Sequence, residues 1–407
     1  MVHPSPAPSD LRVPVLLYAA TAIEAMGYGA IFALLADLQD TYGLPTYGLG
    51  LITGSSFLAG LVAQLGLARY SDHGHTRLML RLGLAVAAGG MLLFGLAGGL
   101  WLFVTGRVLL GLGSGMFLPA VRRVIVTRAG PRAGEALGRL ASVEVAGFVA
   151  GPPLAALLAS AFGLHAPFLV MAGALACTSP AVARVEEPPV EGAPPRRAVR
   201  TLFARRGVRA GLALAAGLYL SIGVFDAIWA RYLTDLGADT PVIAITLALF
   251  ALPLVALSPF GGRLADRSGP LRAGVLALGA TVPLVVGYGV VGSVALATVL
   301  ALLHTTADAL TTPAGQAAVA RCSPPSLVAA GQGLYGATAA AGAAVAAFAA
   351  APLYGAAGDA VMWTIAAVGV AVSAALAWVW GRGTEADRPV FAGRRETSAS
   401  GGGEIAA

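Results

Sequence analysis

Six ionisable side chains of this 407-residue chain stand inside long apolar stretches: Glu24, Arg107, Glu144, Asp226, His304 and Asp308. Such groups must face a cavity or a partner and serve as substrate or proton sites by default, because contact with lipid is costly. Glu24 and Arg107 lie at matching depth, each roughly 20 Å from the same side at a rise of about 1.5 Å per residue. They form either a pair that couples proton movement to another event or a structural pair that satisfies both charges. Glu144 shares a helical stripe with Gly147 and Gly151. His304 and Asp308, spaced i,i+4, share a helical face and make either a proton or substrate site or a local hydrogen-bonded pair. Asp226 is held by Arg231, unless Arg231 pairs with Asp235 instead. Tyr28, Tyr219, Phe225, Trp229 and Tyr335 are candidate cavity walls, with plain packing as the alternative.

The elements that position these residues follow from composition. Apolar residues make up 57% of the chain and charged ones only 11%, against about a quarter charged in a globular protein. A membrane span takes roughly 20 apolar residues, so the chain suits about a dozen spans with little left over. The formal net charge is +6, but the basic residues, all arginine, sit in short connections and are not gathered with aromatics on a soluble face, which argues against nucleic-acid binding. Cys177 and Cys322 supply neither a disulfide framework nor a metal quartet. The N-terminus, MVHPSPAPSDLR, lacks the basic region and cleavage site of a signal peptide, so the first apolar run is expected to stay in the mature protein.

Apolar runs predict an all-α membrane protein with helices over 11–36, 46–68, 78–98, 100–121, 137–162 and 165–184, then over 210–235, 241–262, 271–292, 294–319, 327–352 and 360–380. With both termini cytoplasmic, every arginine except Arg107 and Arg231 falls on the inside, as the positive-inside rule requires. The expected organisation is a six-helix half over 1–185, a cytoplasmic linker over 186–209, a second half over 210–382 and a disordered tail over 383–407. In the linker, Val199, Leu202 and Phe203 fall at helical spacing among arginines, which fits an amphipathic helix on an anionic leaflet as well as a solvated charged connection. Asp72 and Asp266, Pro119 and Pro313, and Pro131 and Pro325 are each 194 positions apart. One offset shared by three landmarks indicates duplication, and two parallel six-helix halves around a midplane site make a transporter architecture.

Around the repeated aspartates the chain shows motifs. Gly262-Arg263-Leu264-Ala265-Asp266-Arg267-Ser268-Gly269 closely resembles the G-x-L-A-D-R-x-G signature of the major facilitator superfamily. The first copy, Ala68 to Arg77, is degenerate, and only Asp72 and Arg77 keep the family roles cleanly. Arg107, Gly111 and Gly113 resemble the family's R-x-x-x-G-x-G pattern. Gly147, Gly151 and Pro152 resemble the G-x-x-x-G-P pattern of its antiporters, although the usual later glycine is Ala155. The resemblance implies that the loop aspartates gate the inner side, with Asp72 near the helix start at Pro325 to Leu327 and the intact Asp266 copy dominating. Plain turn residues are the alternative.

The resemblance further implies a bacterial inner-membrane transporter, similar to the twelve-span drug:proton antiporter branch and exporting an amphipathic or cationic small molecule. No phosphate-cradling G-x-x-x-x-G-K-[ST] loop occurs, so ATP-driven transport is unsupported by the sequence. The expected partners are substrate, protons and lipid, with no metal or cofactor, no nucleic acid and a monomeric state. Proton-coupled uptake, sugar or metabolite efflux, and a non-transporting sensor are the alternatives. An intramembrane enzyme lacks a nucleophile paired to a base.

Overall fold

The computed structural model describes residues 8–389 apart from 183, 187 and 190–197. The expected tail beyond 389 and the proline-rich part of the linker lie outside the described residues. Thirteen α-helices follow one another: α1 (Pro8–Tyr42), α2 (Thr46–Gly66), the short α3 (Ala68–Tyr70), α4 (Thr76–Gly95), α5 (Leu100–Ala129), α6 (Ala133–Phe162), α7 (Ala166–Val182), the short α8 (Ala198–Ala204), α9 (Arg206–Asp235), α10 (Thr240–Ser268), α11 (Pro270–Tyr288), α12 (Val294–Cys322) and α13 (Val328–Gly381). Among the described residues there is no strand. The α13 helix is two arms joined at Gly358, whose φ of 79° interrupts the helical backbone. With those arms counted separately and α3 and α8 set aside, the long helices correspond one for one to the twelve apolar runs. Exposed Leu157, Leu276, Val290 and Phe348 suit the hydrocarbon of a bilayer, in which only self-satisfied backbones such as helices can stand.

Within the first group, α1 packs on α6 and α7, α5 on α2 and α4, and α4 on α7. Within the second, α9 packs on α12 and α13, α12 on α10 and α11, and α11 on α13. The groups meet where α10 lies on α6 and where α13 lies on α2 and α5. Small residues make these crossings close. A Cβ on Gly262 would land on the Gly134 carbonyl, and one on Gly138 on the Ser258 carbonyl. Ser142 Oγ donates to the Val255 carbonyl across the same crossing. At the other crossing a Cβ on Gly333 would stand 2.6 Å from the Gln64 carbonyl oxygen.

Gly262→Ala will therefore destabilise the fold by about 1–3 kcal/mol, the usual range for overpacking. Gly279→Ala, with open space around it, serves as the control. Thermal unfolding in detergent checks this, and equal melting temperatures for the two variants would refute the close approach.

Several boundaries differ from the sequence reading. The fourth helix was expected to end at 121, before two arginines, but α5 continues to Ala129 and places buried Arg122 and Arg123 inside it. Both find acidic partners, so helix geometry and burial tolerate them. The first residues of the expected disordered tail are folded: a 3₁₀ turn, Glu385–Asp387, buries Ala386, while Asp387 Oδ1 meets Arg272 Nε at 3.0 Å. In α8, Leu202 enters the core beside α9, whereas Val199 and Phe203 stay exposed. The three linker residues thus do not lie on one face toward a single environment.

Candidate functional site

The buried polar groups of the first helix group gather on α1, α5 and α6. Arg122 Nη2 stands 3.3 Å from Glu144 Oε1, with the two side chains 9% and 25% exposed. Glu24, 2% exposed, has no hydrogen bond to either carboxylate oxygen. Ser114, Arg122 and Glu144 are the polar groups that act on it. The expected Glu24–Arg107 pair is not formed. Arg107 instead donates from Nε to the Ile52 carbonyl at 3.1 Å and lies over the rings of Tyr28 and Phe32, 5.0 and 5.5 Å from their centroids. Similar depth did not suffice, because helical azimuth turns Arg107 toward α2. The arginine near the carboxylates is Arg122, which sequence reasoning assigned to the inner surface. Its i,i+15 spacing from Arg107 inside one uninterrupted apolar helix was the available signal.

A second polar cluster lies on α9, α11 and α12. His304 Nε2 is 2.7 Å from Ser221 Oγ and its Nδ1 is 3.2 Å from Tyr288 Oη. Asp308 Oδ1 stands 3.7 Å from His304 Nε2, too long for a hydrogen bond, and has no other partner. The local hydrogen-bonded pair is therefore replaced by a histidine bonded through two hydroxyls beside a buried, unsatisfied carboxylate. Ser221 and Tyr288 were not foreseen, since only the tertiary fold brings them to His304. Asp226 is exposed, so it does not belong to a buried cluster. Arg231 pairs with Asp235 at 2.9 Å, and Tyr354 Oη donates to the same carboxylate at 2.7 Å.

The aromatic candidates divide. Trp229 is buried, with Nε1 donating to Thr246 Oγ1 at 3.1 Å, and stacks on half-buried Phe225 with centroids 4.3 Å apart. Tyr335 is likewise buried and its hydroxyl reaches the Thr312 carbonyl at 3.4 Å. Trp229 and Tyr335 pack as core residues in this arrangement. Tyr28 is half-buried, with its hydroxyl 3.2 Å from Ser56 Oγ, and is the aromatic that touches a charged group.

The two loop aspartates show one geometry twice. Asp72 accepts from the Ala329 and Ala330 amides at 2.9 and 2.8 Å, at the start of α13, and meets Arg123 Nε at 3.1 Å. Asp266 accepts from the Gly134 and Glu135 amides at 3.1 and 3.0 Å, at the start of α6, and stands 3.5 Å from Arg321 Nη2. Each carboxylate thus satisfies free helix N-terminal amides of the opposite group, where the helix dipole favours an anion, and is held by an arginine from its own group. The intact copy does not dominate. Asp72 is wholly buried and its contacts are the shorter ones, while Thr76, at a position where the family carries a basic residue, accepts from Arg123 Nη1 at 2.6 Å and donates to the Ser71 carbonyl. Positive φ values of 82° at Gly74 and 93° at Gly269 make the two turns, so in the degenerate copy the glycine stands one place earlier. Arg77 Nε donates to the Val185 carbonyl at 2.9 Å, and Arg267 follows Asp266 in the last turn of α10.

The sequence profile of the Major Facilitator Superfamily matches residues 17–229 and 211–403. The chain belongs to that superfamily. Among curated relatives, the multidrug resistance protein MdtG of Serratia proteamaculans (strain 568) is 28% identical over 312 residues, 71% of this chain and 75% of that protein. Among solved structures, the human organic anion transporter MFSD10 (TETRAN) superposes with a TM-score of 0.76 at 19% identity, covering 91% of this chain and 100% of the other. The E. coli fucose:proton symporter FucP follows at 0.72 and 14%, covering 91% and 97%. At these identities the structures establish the fold, and this superfamily member is a multi-pass membrane transporter of small molecules.

In this superfamily member the α6 strip of Gly147 and Gly151 lies against α1, where added Cβ atoms would meet the Ala22 and Met26 carbonyls. Pro152 continues the contact, since a Cβ on Gly29 would stand 3.0 Å from its Cδ. Among the described residues no group of three or more His, Cys, Asp and Glu is placed to hold a metal ion.

Proposed function

We propose that the chain is a proton-coupled antiporter that exports amphipathic or cationic small molecules across a bacterial inner membrane, as a monomer with both termini cytoplasmic. On this reading residues 1–185 and 210–382 are its two moving halves, and Asp72 and Asp266 latch the cytoplasmic side. The observation that carries it is the arrangement of Glu24, Arg122 and Glu144: Arg122 pairs with Glu144, while the buried Glu24 on the neighbouring helix enters no ion pair of its own among the described residues. The likeness to a multidrug resistance protein supports the substrate class.

Inside the helices Glu24, Glu144 and Asp308 stand buried or half-buried against Arg107 and Arg122, three acids to two arginines. An unpaired carboxylate in a low-dielectric site must be neutralised, either by a proton or by a cationic ligand. Proton and cation then compete, and binding of one expels the other.

Adding the lipophilic cation tetraphenylphosphonium to the protein in unbuffered detergent solution should release protons, and its affinity should fall as pH is lowered. A pH electrode reads the release directly. Absence of release for every transported cation would eliminate competition and favour a neutral substrate.

A further inference from the structure

Arg107 is wholly buried on α5, yet only its Nε finds an acceptor; Nη1 and Nη2 have none. Among the described residues it enters no ion pair. The rings of Tyr28 and Phe32 attract the guanidinium through their faces, but a ring face leaves the two terminal donors unused. A buried cation without an anionic partner is costly to keep.

The surroundings are those of a binding subsite. Phe32, Phe57 and Phe148, on α1, α2 and α6, are all exposed, and the Phe32 centroid lies 6.4 Å from that of Phe57 and 6.0 Å from that of Phe148. The guanidinium thus lies directly behind an exposed aromatic cluster built from three helices. Glu24, one turn before Tyr28 on α1, is buried as well and enters no ion pair with Arg107, although both charges act on the Tyr28 hydroxyl between them. A planar fork with two free donors matches a carboxylate, which it can bind in bidentate fashion, better than it matches a spherical ion.

We propose that Arg107 receives the carboxylate of an aromatic small molecule whose ring lies against Phe32, Phe57 and Phe148. This rests on the reading of the chain as an exporter of amphipathic molecules and narrows it: the preferred substrates carry an acidic group, with the Glu24 side of the site left for a proton or a basic group. The Arg107 fork must be uncovered for entry, so ring movement at Phe32 accompanies binding.

The test measures binding of radiolabelled 2-naphthoate and of its methyl ester to the full-length protein in detergent, at several chloride concentrations. In the wild type the acid should bind at least about tenfold more tightly than the ester, the value of about one hydrogen bond to a charged group. Arg107→Gln should erase that preference while retaining tetraphenylphosphonium binding, and Arg107→Lys should keep part of it. If Arg107→Gln fails to bind tetraphenylphosphonium, the wild-type comparison of acid and ester decides. Equal affinity for the two, no measurable binding of the acid, or an unchanged preference in Arg107→Gln would each overturn the proposal. Full displacement of naphthoate by millimolar chloride would also overturn it, by making the site one for a free inorganic anion. Loss of tetraphenylphosphonium-driven proton release with the acid preference intact would instead count against antiport and leave the Arg107 site standing.

Discussion

Asp72→Ala will loosen the arginine-rich end of the transporter by about 3–5 kcal/mol, the loss typical of breaking a buried ion pair from one side. The mutation removes the acceptor of two α13 amides and leaves Arg123, which is 1% exposed, without its anion. Among the described residues Arg123 then retains the Thr76 hydroxyl and the Pro189 carbonyl. Asp266→Ala should be milder, because Arg321 is 17% exposed at the side chain and water can replace the lost carboxylate. Thermal unfolding, combined with cross-linking of cysteines introduced across the α2–α13 crossing, measures both effects. A larger loss from Asp266→Ala than from Asp72→Ala would show that the intact motif is the dominant latch after all.

Glu24→Gln will abolish gradient-driven transport, by at least about tenfold and with no loss of thermal stability. The amide has the carboxyl group's shape, among the described residues Glu24 enters no ion pair for the change to break, and its hydroxyl neighbour, Ser114, can serve an amide as well as a carboxylate, so the structural cost is small. What disappears is the group that exchanges a proton for a cation. Arg122→Ala should lose both transport and stability, since it leaves Glu144 as a partly buried carboxylate without its cation. Transport in proteoliposomes under an imposed pH gradient, alongside melting curves, separates the two phenotypes. Full proton-coupled activity in Glu24→Gln would remove Glu24 from the coupling role.

Arg107 marks the limit of reasoning from depth. Position along a helix follows from counting, because rise per residue is constant, but azimuth relative to a neighbouring helix depends on how the two helices pack. Counting alone paired Glu24 with Arg107. Packing turned Arg107 toward the Ile52 carbonyl and the rings of Tyr28 and Phe32, and brought Arg122 to Glu144. The same limit hid Ser221 and Tyr288, which reach His304 from helices 83 and 16 residues away in sequence.

Sequence by itself determined that this chain is a helical membrane protein, where its helices lie, that its landmarks repeat, and which loop aspartates matter. Those properties depend on local composition: a run of about 20 apolar residues must be helical in hydrocarbon whatever its neighbours are, and a Gly-x-Leu-Ala-Asp-Arg loop carries its turn and its charges within a few residues. Tertiary structure alone decided which helix end each aspartate caps, that the degenerate copy binds as closely as the intact one, and which buried charges remain unpaired. Those are distances between residues far apart in the chain. Thr76 and Gly74 show why motif degeneracy misled: a hydroxyl and a glycine one place earlier supply the hydrogen bond and the left-handed turn that the usual residues would, and only the packed loop reveals the substitution.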